Sequence, residues 1–188
     1  MRALVVCVSI SEGNTKRVAD AIAGVLGTEA VEPEDVAPNA VAGYDMVGIG
    51  SGIYGMMFHA RLWRFARSLP KVEGTPVFLF ATSGSPEVLW RPAVLILSRL
   101  LRGKGYRVVG MFSCRGFDNL GPMRLVGGLN KGKPSEGDLE AARAFASGLP
   151  GKAKASAKAK DTVRSSARTA KRVLAAGERS RSQQRAAS

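Results

Sequence analysis

The chain has 188 residues, a net charge of +13, two cysteines and a single histidine. So few cysteines exclude a disulfide-built scaffold and a zinc site with paired thiolate ligands. The longest internal apolar segment, residues 88–101, is interrupted by Arg91, Pro92 and Arg99 and is too short to cross a bilayer, so no transmembrane segment is expected.

The chain opens on an apolar run, Ala3 to Val8, which reads as a buried strand. It passes straight into small polar residues without a cleavage-type sequence, so no signal peptide and a cytoplasmic location are expected. Val18, Ile22, Val25 and Leu26 then recur at helical spacing, which predicts a helix over residues 15–26. An edge strand is expected near residues 29–36, a strand over 46–49, a helix near 59–68 and a strand over 77–81. A helix near 88–104, a strand over 107–112 and a helix over 136–147 complete the pattern. Ser135 with Asp138 is a capped start for the last helix. Apolar strands alternating with helices make this an α/β chain, a parallel sheet covered on both faces with right-handed crossovers.

Three strand ends carry the functional signal. After the first strand come Ser9, Ser11, Gly13, Asn14 and Thr15, placed so that unpaired amides meet at a helix N-terminus. Such a loop attracts anions, above all phosphate esters. The third strand runs into Ser51, Gly52, Ile53, Tyr54 and Gly55, and the fourth into Thr82, Ser83, Gly84 and Ser85. In an open parallel sheet the loops at the carboxyl ends converge on the ligand crevice, so the three outline one site. The bland alternatives are a capped helix start for the first loop, a core tyrosine for Tyr54 and an ordinary strand-to-helix turn for residues 82–85.

The first loop, Ser9-Ile10-Ser11-Glu12-Gly13-Asn14-Thr15, together with Phe112-Ser113-Cys114-Arg115-Gly116-Phe117-Asp118, Gly121-Pro122, Gly127-Gly128 and Lys131-Gly132-Lys133-Pro134, resembles a poorly characterised bacterial and archaeal subgroup of the flavodoxin family. With Ser51 to Tyr54 the likeness covers nearly all of residues 1–149. It implies a flavodoxin-like three-layer sandwich with a five-stranded parallel sheet of order 2-1-3-4-5 and FMN as cofactor. Ser9, Ser11, Gly13, Asn14 and Thr15 would then hold the phosphate, with Gly13 allowing close backbone approach. Ser51 to Gly55 would line the flavin, Tyr54 stacking on the ring, and Thr82 to Ser85 would present amides to its pyrimidine side. In the family's usual loop a threonine stands where this chain has Glu12, and one residue fewer separates the first hydroxyl from the glycine. The Glu12 carboxylate must therefore point away from a bound phosphate.

The segment from Tyr54 to Leu62 is also similar to the second loop of flavodoxin-like protoporphyrinogen oxidases, which makes His59 a candidate proton carrier beside its ordinary reading as a surface or capping residue. Trp63, Phe65 and Trp90 read as helix packing, with Trp90 close enough to the third loop to border the cofactor. Cys7 reads as core and Cys114 as a packed residue or a neighbour of the flavin.

Near Pro150 the composition changes to Lys, Ala, Arg and Ser. Residues 150–188 hold 11 basic and 2 acidic side chains, a net of +9, which leaves +4 of the total +13 for residues 1–149. Such a segment is expected to be a disordered basic tail; its alternatives are a solubilising extension and a contact to a polyanion, be it nucleic acid, anionic lipid or an acidic redox partner. Three functions follow from these features: an FMN-binding electron-transfer protein working with an unknown reductase or acceptor, an FMN-dependent oxidoreductase acting on a quinone or tetrapyrrole, and a flavin-free docking protein acting through the tail.

Overall fold

A computed structural model describes residues 1–10, 12–117 and 130–154. The chain divides into two units, Met1–Pro150 and Gly151–Ser188; of the second, residues 151–154 are described and are helical. The three strand ends described above therefore belong to the first unit, while the expected tail lies almost wholly outside the described residues.

The first unit is built from β1 (Ala3–Val8), α1 (Asn14–Leu26), β2 (Ala30–Val31), β3 (Met46–Tyr54), β4 (Met57–Phe58), α2 (Ala60–Ser68), β5 (Pro76–Ser83), α3 (Glu87–Gly103) and β6 (Arg107–Arg115), with a final helix, α4, over residues 136–150. The parallel strands lie in the order β2-β1-β3-β5-β6, which is 2-1-3-4-5 when the parallel strands alone are counted. The expected five-stranded sheet is corrected in one respect: β4 is a sixth strand, paired antiparallel to the end of β3 through Ile53 with Phe58 and Tyr54 with Met57. Gly55 and Met56 join the two at φ +54° and +64°, the paired left-handed conformation of a tight two-residue hairpin.

The expected edge strand over 29–36 is also shorter. Only Ala30 and Val31 pair with β1, because Pro33 opens a 3₁₀ turn and Pro38 a second one; proline cannot donate to a ladder. This short edge is tied to α2 by Arg61, which binds both Glu32 and Glu34. The hydrogen bond from Arg61 holds the Glu34 carboxyl below its ordinary pKa.

Side-chain alternation sorts the sheet into two buried faces. Leu4, Val6, Val8, Val47, Ile49, Leu79 and Ala81 lie under α2 and α3, where they meet Leu62, Phe65, Trp90, Ala93 and Leu97. The other face carries a size-matched pairing: Gly48 stands opposite Phe78 and Gly50 opposite Phe80 on adjacent strands. A methyl group on Gly48 would lie 2.2 Å from the Phe78 ring, and one on Gly50 2.3 Å from Phe80. Phe145 of α4 closes over these rings, its centroid 6.0 Å from Phe78 and 5.7 Å from Phe112. This packing fixes β3 and β5 side by side, with their carboxyl ends level. No helix among the described residues is long and apolar enough to cross a membrane.

Candidate functional site

The segments that follow the carboxyl ends of β1, β3, β5 and β6 surround one cleft that opens to solvent. From the first loop it receives Asn14 and Thr15, from β3 Gly52, Ile53 and Tyr54, and from β5 Thr82, Ser83 and Gly84. The fourth wall is Gly116 and Phe117, directly after β6.

The first loop is shaped for an anion. Helix α1 begins at Asn14, one residue earlier than expected, with Gly13 as its N-cap at φ +66°. That cap supplies no side-chain hydrogen bond, and the first turn holds no acidic residue, so the leading amides and the positive end of the helix dipole are left without an internal partner. The Ser9 hydroxyl is buried and has no partner among the described residues, an arrangement that ordinarily calls for an external one. Glu12 is exposed at φ +52°, so its carboxylate stands in solvent, as the charge argument demands. Ser11 lies outside the described residues.

Two of the first-loop side chains are engaged in building the cleft itself. The Thr15 and Thr82 hydroxyls share a buried hydrogen bond of 2.8 Å, which joins the first loop to the third. The Asn14 amide donates to the Phe117 carbonyl at 2.7 Å and so holds the fourth wall. Gly116 has to be small here, since a methyl group on it would meet the Asn14 amide at 3.2 Å and the Thr82 Cβ at 3.3 Å.

The second segment is strand and hairpin rather than the expected loop. Ser51 is fully buried; its hydroxyl donates to the Gly52 carbonyl and accepts from the His59 N–H, so its role is to join the hairpin to α2. Gly55 lies in the hairpin turn, away from the cleft lining. Tyr54 folds back so that its hydroxyl would sit 2.9 Å from a methyl group on Gly52, and its ring meets His59 edge-on at 5.4 Å. His59 caps α2, its Nδ1 accepting from the Arg61 N–H. That contact is the capping role weighed for it above.

The third loop is pinned from outside. Its Gly84 carbonyl accepts from Arg115 at 2.8 Å and from Asn130 at 3.0 Å, while Ser85 donates its N–H to the Ser83 hydroxyl. Ser85 itself faces a neighbouring hollow beside Glu87 and Cys114. The Phe117 N–H donates to the Lys133 carbonyl, and Lys133 in turn binds Asp138 at 2.9 Å. Burial pushes the Asp138 carboxyl up, but hydrogen bonds from Lys133 and Ser135 outweigh it and leave the group below its ordinary pKa. Ser135 and Asp138 exchange hydrogen bonds at the start of α4, the reciprocal cap read from the sequence. Burial pushes the Cys7 and Cys114 thiols up to about 12, so neither is a thiolate near neutrality. Trp90 is fully buried in the core beneath α3.

Sequence reasoning missed the fourth wall. Gly116 and Phe117 were noticed only as part of a motif, although a glycine directly after a strand end is the same signal that marked the other loops. Arg115 stands in the same motif, but nothing local marks it or Asn130 as a donor to the Gly84 carbonyl.

A family model described as a flavodoxin domain matches residues 5–88. An uncharacterised protein of Methanocaldococcus jannaschii is 34% identical over 149 residues, spanning 79% of this chain and 98% of that protein. Among solved structures, flavodoxin 2 from Bacillus cereus superposes with a TM-score of 0.62 at 23% identity, over 81% of this chain and 99% of that one. A flavodoxin from the domain Archaea gives 0.58 at 20% identity, over 82% and 99%.

Proposed function

Since the chain belongs to the flavodoxin family, we propose that its cleft holds FMN and that the protein is a redox carrier. The observation that carries this reading is the convergence of four strand ends on one cleft whose first loop offers uncapped helix amides and a buried, unpartnered Ser9 hydroxyl. A phosphate monoester fits that donor set. Ser9 and the amides around Gly13, Asn14 and Thr15 would hold it, with Glu12 kept in solvent.

When bound, the flavin supplies one- and two-electron redox chemistry. The chain's own residues bind it, shape its surroundings and keep water from part of it. Ile53, Tyr54 and Phe117 give the cleft its apolar and aromatic walls. Thr82, Ser83 and Gly84 present peptide groups whose positions are set by Arg115 and Asn130 before any ligand arrives. Preorganised donors stabilise negative charge without reorganisation. Among the described residues no acidic side chain lines the cleft, so none of them opposes the charge gained on reduction.

The test is the visible absorption spectrum of the purified full-length protein, taken before and after addition of FMN and again after desalting. Flavin bands that survive desalting are the expected result. A protein that stays colourless after exposure to excess FMN overturns the reading.

A further inference from the structure

Helix α3 is apolar on two opposite sides. One side packs onto the sheet through Trp90, Ala93, Leu97 and Leu101, as a surface helix should. The outer side of such a helix is ordinarily polar. Here it carries Val88, Leu89, Leu95 and Ile96, exposed at 72%, 51%, 53% and 48%. Positions 88, 89, 92, 95, 96 and 99 fall within about 120° of the helix circumference, so these residues form one continuous outer face with Pro92 inside it and Arg99 at its end. Arg91, Arg99 and Arg102 flank the stripe, all exposed, and none forms an ion pair with a described residue. Aliphatic residues aligned in this way mark an interaction surface rather than scattered exposure.

Charge decides the occupant. A second copy of the chain would bring arginines against arginines, and the Lys- and Arg-rich residues 150–188 carry +9, so both are repelled by the rim of the stripe. The partner must be anionic and must accept aliphatic side chains. Protein interfaces draw their energy chiefly from Trp, Tyr and Arg, with Leu and Val under-represented among the strong contributors. A lipid surface has the opposite preference: basic residues sit among anionic head groups while the aliphatic face enters the acyl boundary.

We propose that the outer face of α3 is a peripheral docking surface for anionic lipid bilayers. Val88, Leu89, Leu95 and Ile96 enter the interface, while Arg91, Arg99 and Arg102 bind the head groups. The proposal is independent of the flavin reading, since none of these residues lines the cleft.

The test is co-sedimentation of the full-length protein with vesicles of phosphatidylglycerol and phosphatidylcholine, compared with phosphatidylcholine alone. Binding is expected only to the anionic vesicles, weakening as salt is raised. The double variant Leu95→Glu with Ile96→Glu is expected to lower the partition coefficient by about tenfold or more, with an unchanged circular dichroism spectrum showing that it folds. Arg99→Gln with Arg102→Gln should weaken binding at low salt and flatten its salt dependence. No binding to anionic vesicles, or binding that the Leu95 and Ile96 variant leaves intact, overturns the proposal; the second result would assign lipid contact to the basic segment alone. Capture of an acidic protein without vesicle binding also overturns it.

Discussion

Replacing Gly50 by valine is expected to destabilise the protein by about 3 kcal/mol, near the upper end of what overpacking a core produces. Gly50 sits in the central strand β3, and a first side-chain carbon there would lie 2.3 Å from the Phe80 ring, a distance that neither strand can relieve alone. Phe80 cannot swing away, because it is fully buried and packs beside Phe78 at 6.2 Å between centroids. The damage should also be specific to this ring. If the ring is what the glycine accommodates, then Gly50→Ala and Phe80→Ala together should cost less than the two single changes added, with a coupling of about 1 kcal/mol or more. Urea unfolding followed by tryptophan fluorescence measures all four proteins. Strict additivity would show that Gly50 and Phe80 are not packing partners.

The second large effect is expected at the cleft. Asn14→Ala removes the amide that donates to the Phe117 carbonyl, and Asn14 is only 8% exposed, so water does not simply replace it. A part-buried hydrogen-bond partner lost in this way costs about 1 to 3 kcal/mol, which corresponds to a loss of roughly five- to 150-fold in affinity if the cost falls on the bound state. FMN binding, followed by quenching of flavin fluorescence, should weaken by that factor. Asn14→Asp should be worse, because a carboxylate would face both the Phe117 carbonyl and the ligand phosphate. An unchanged dissociation constant in the alanine variant would mean that Phe117 takes no part in holding the flavin.

The features legible in the sequence were those with a strong local cause. The apolar run of β1, the period of α1 and the small polar residues after β1 and β5 each reflect burial or turn chemistry within a few residues. What was not legible depends on partners far along the chain. Residues 51–54 read as a loop because glycine and serine are poor strand formers, yet Gly52 pairs with Thr82 on β5 and Ile53 with Phe58 on β4, and that pairing overrides local preference. Ser113 to Arg115 likewise fall outside the strand that the apolar run predicts, because serine and arginine end that run, although all three pair with β5. Asn14 and Thr15 read from the sequence as ligand contacts; in the folded chain each side chain also binds a cleft wall distant in sequence, residues 117 and 82. Position alone places a side chain at a site, but only the folded chain shows what it holds there.

The central claim is that the uncapped start of α1 and the Ser9 hydroxyl form a phosphate subsite for FMN. It is tested most directly by titrating the flavin-free protein with FMN and, separately, with riboflavin, which has the same ring and no phosphate. The account predicts that FMN binds at least about a hundredfold more tightly, since several charge-assisted hydrogen bonds to the phosphate are lost with riboflavin. Equal affinity for the two, or no binding of either, would contradict it.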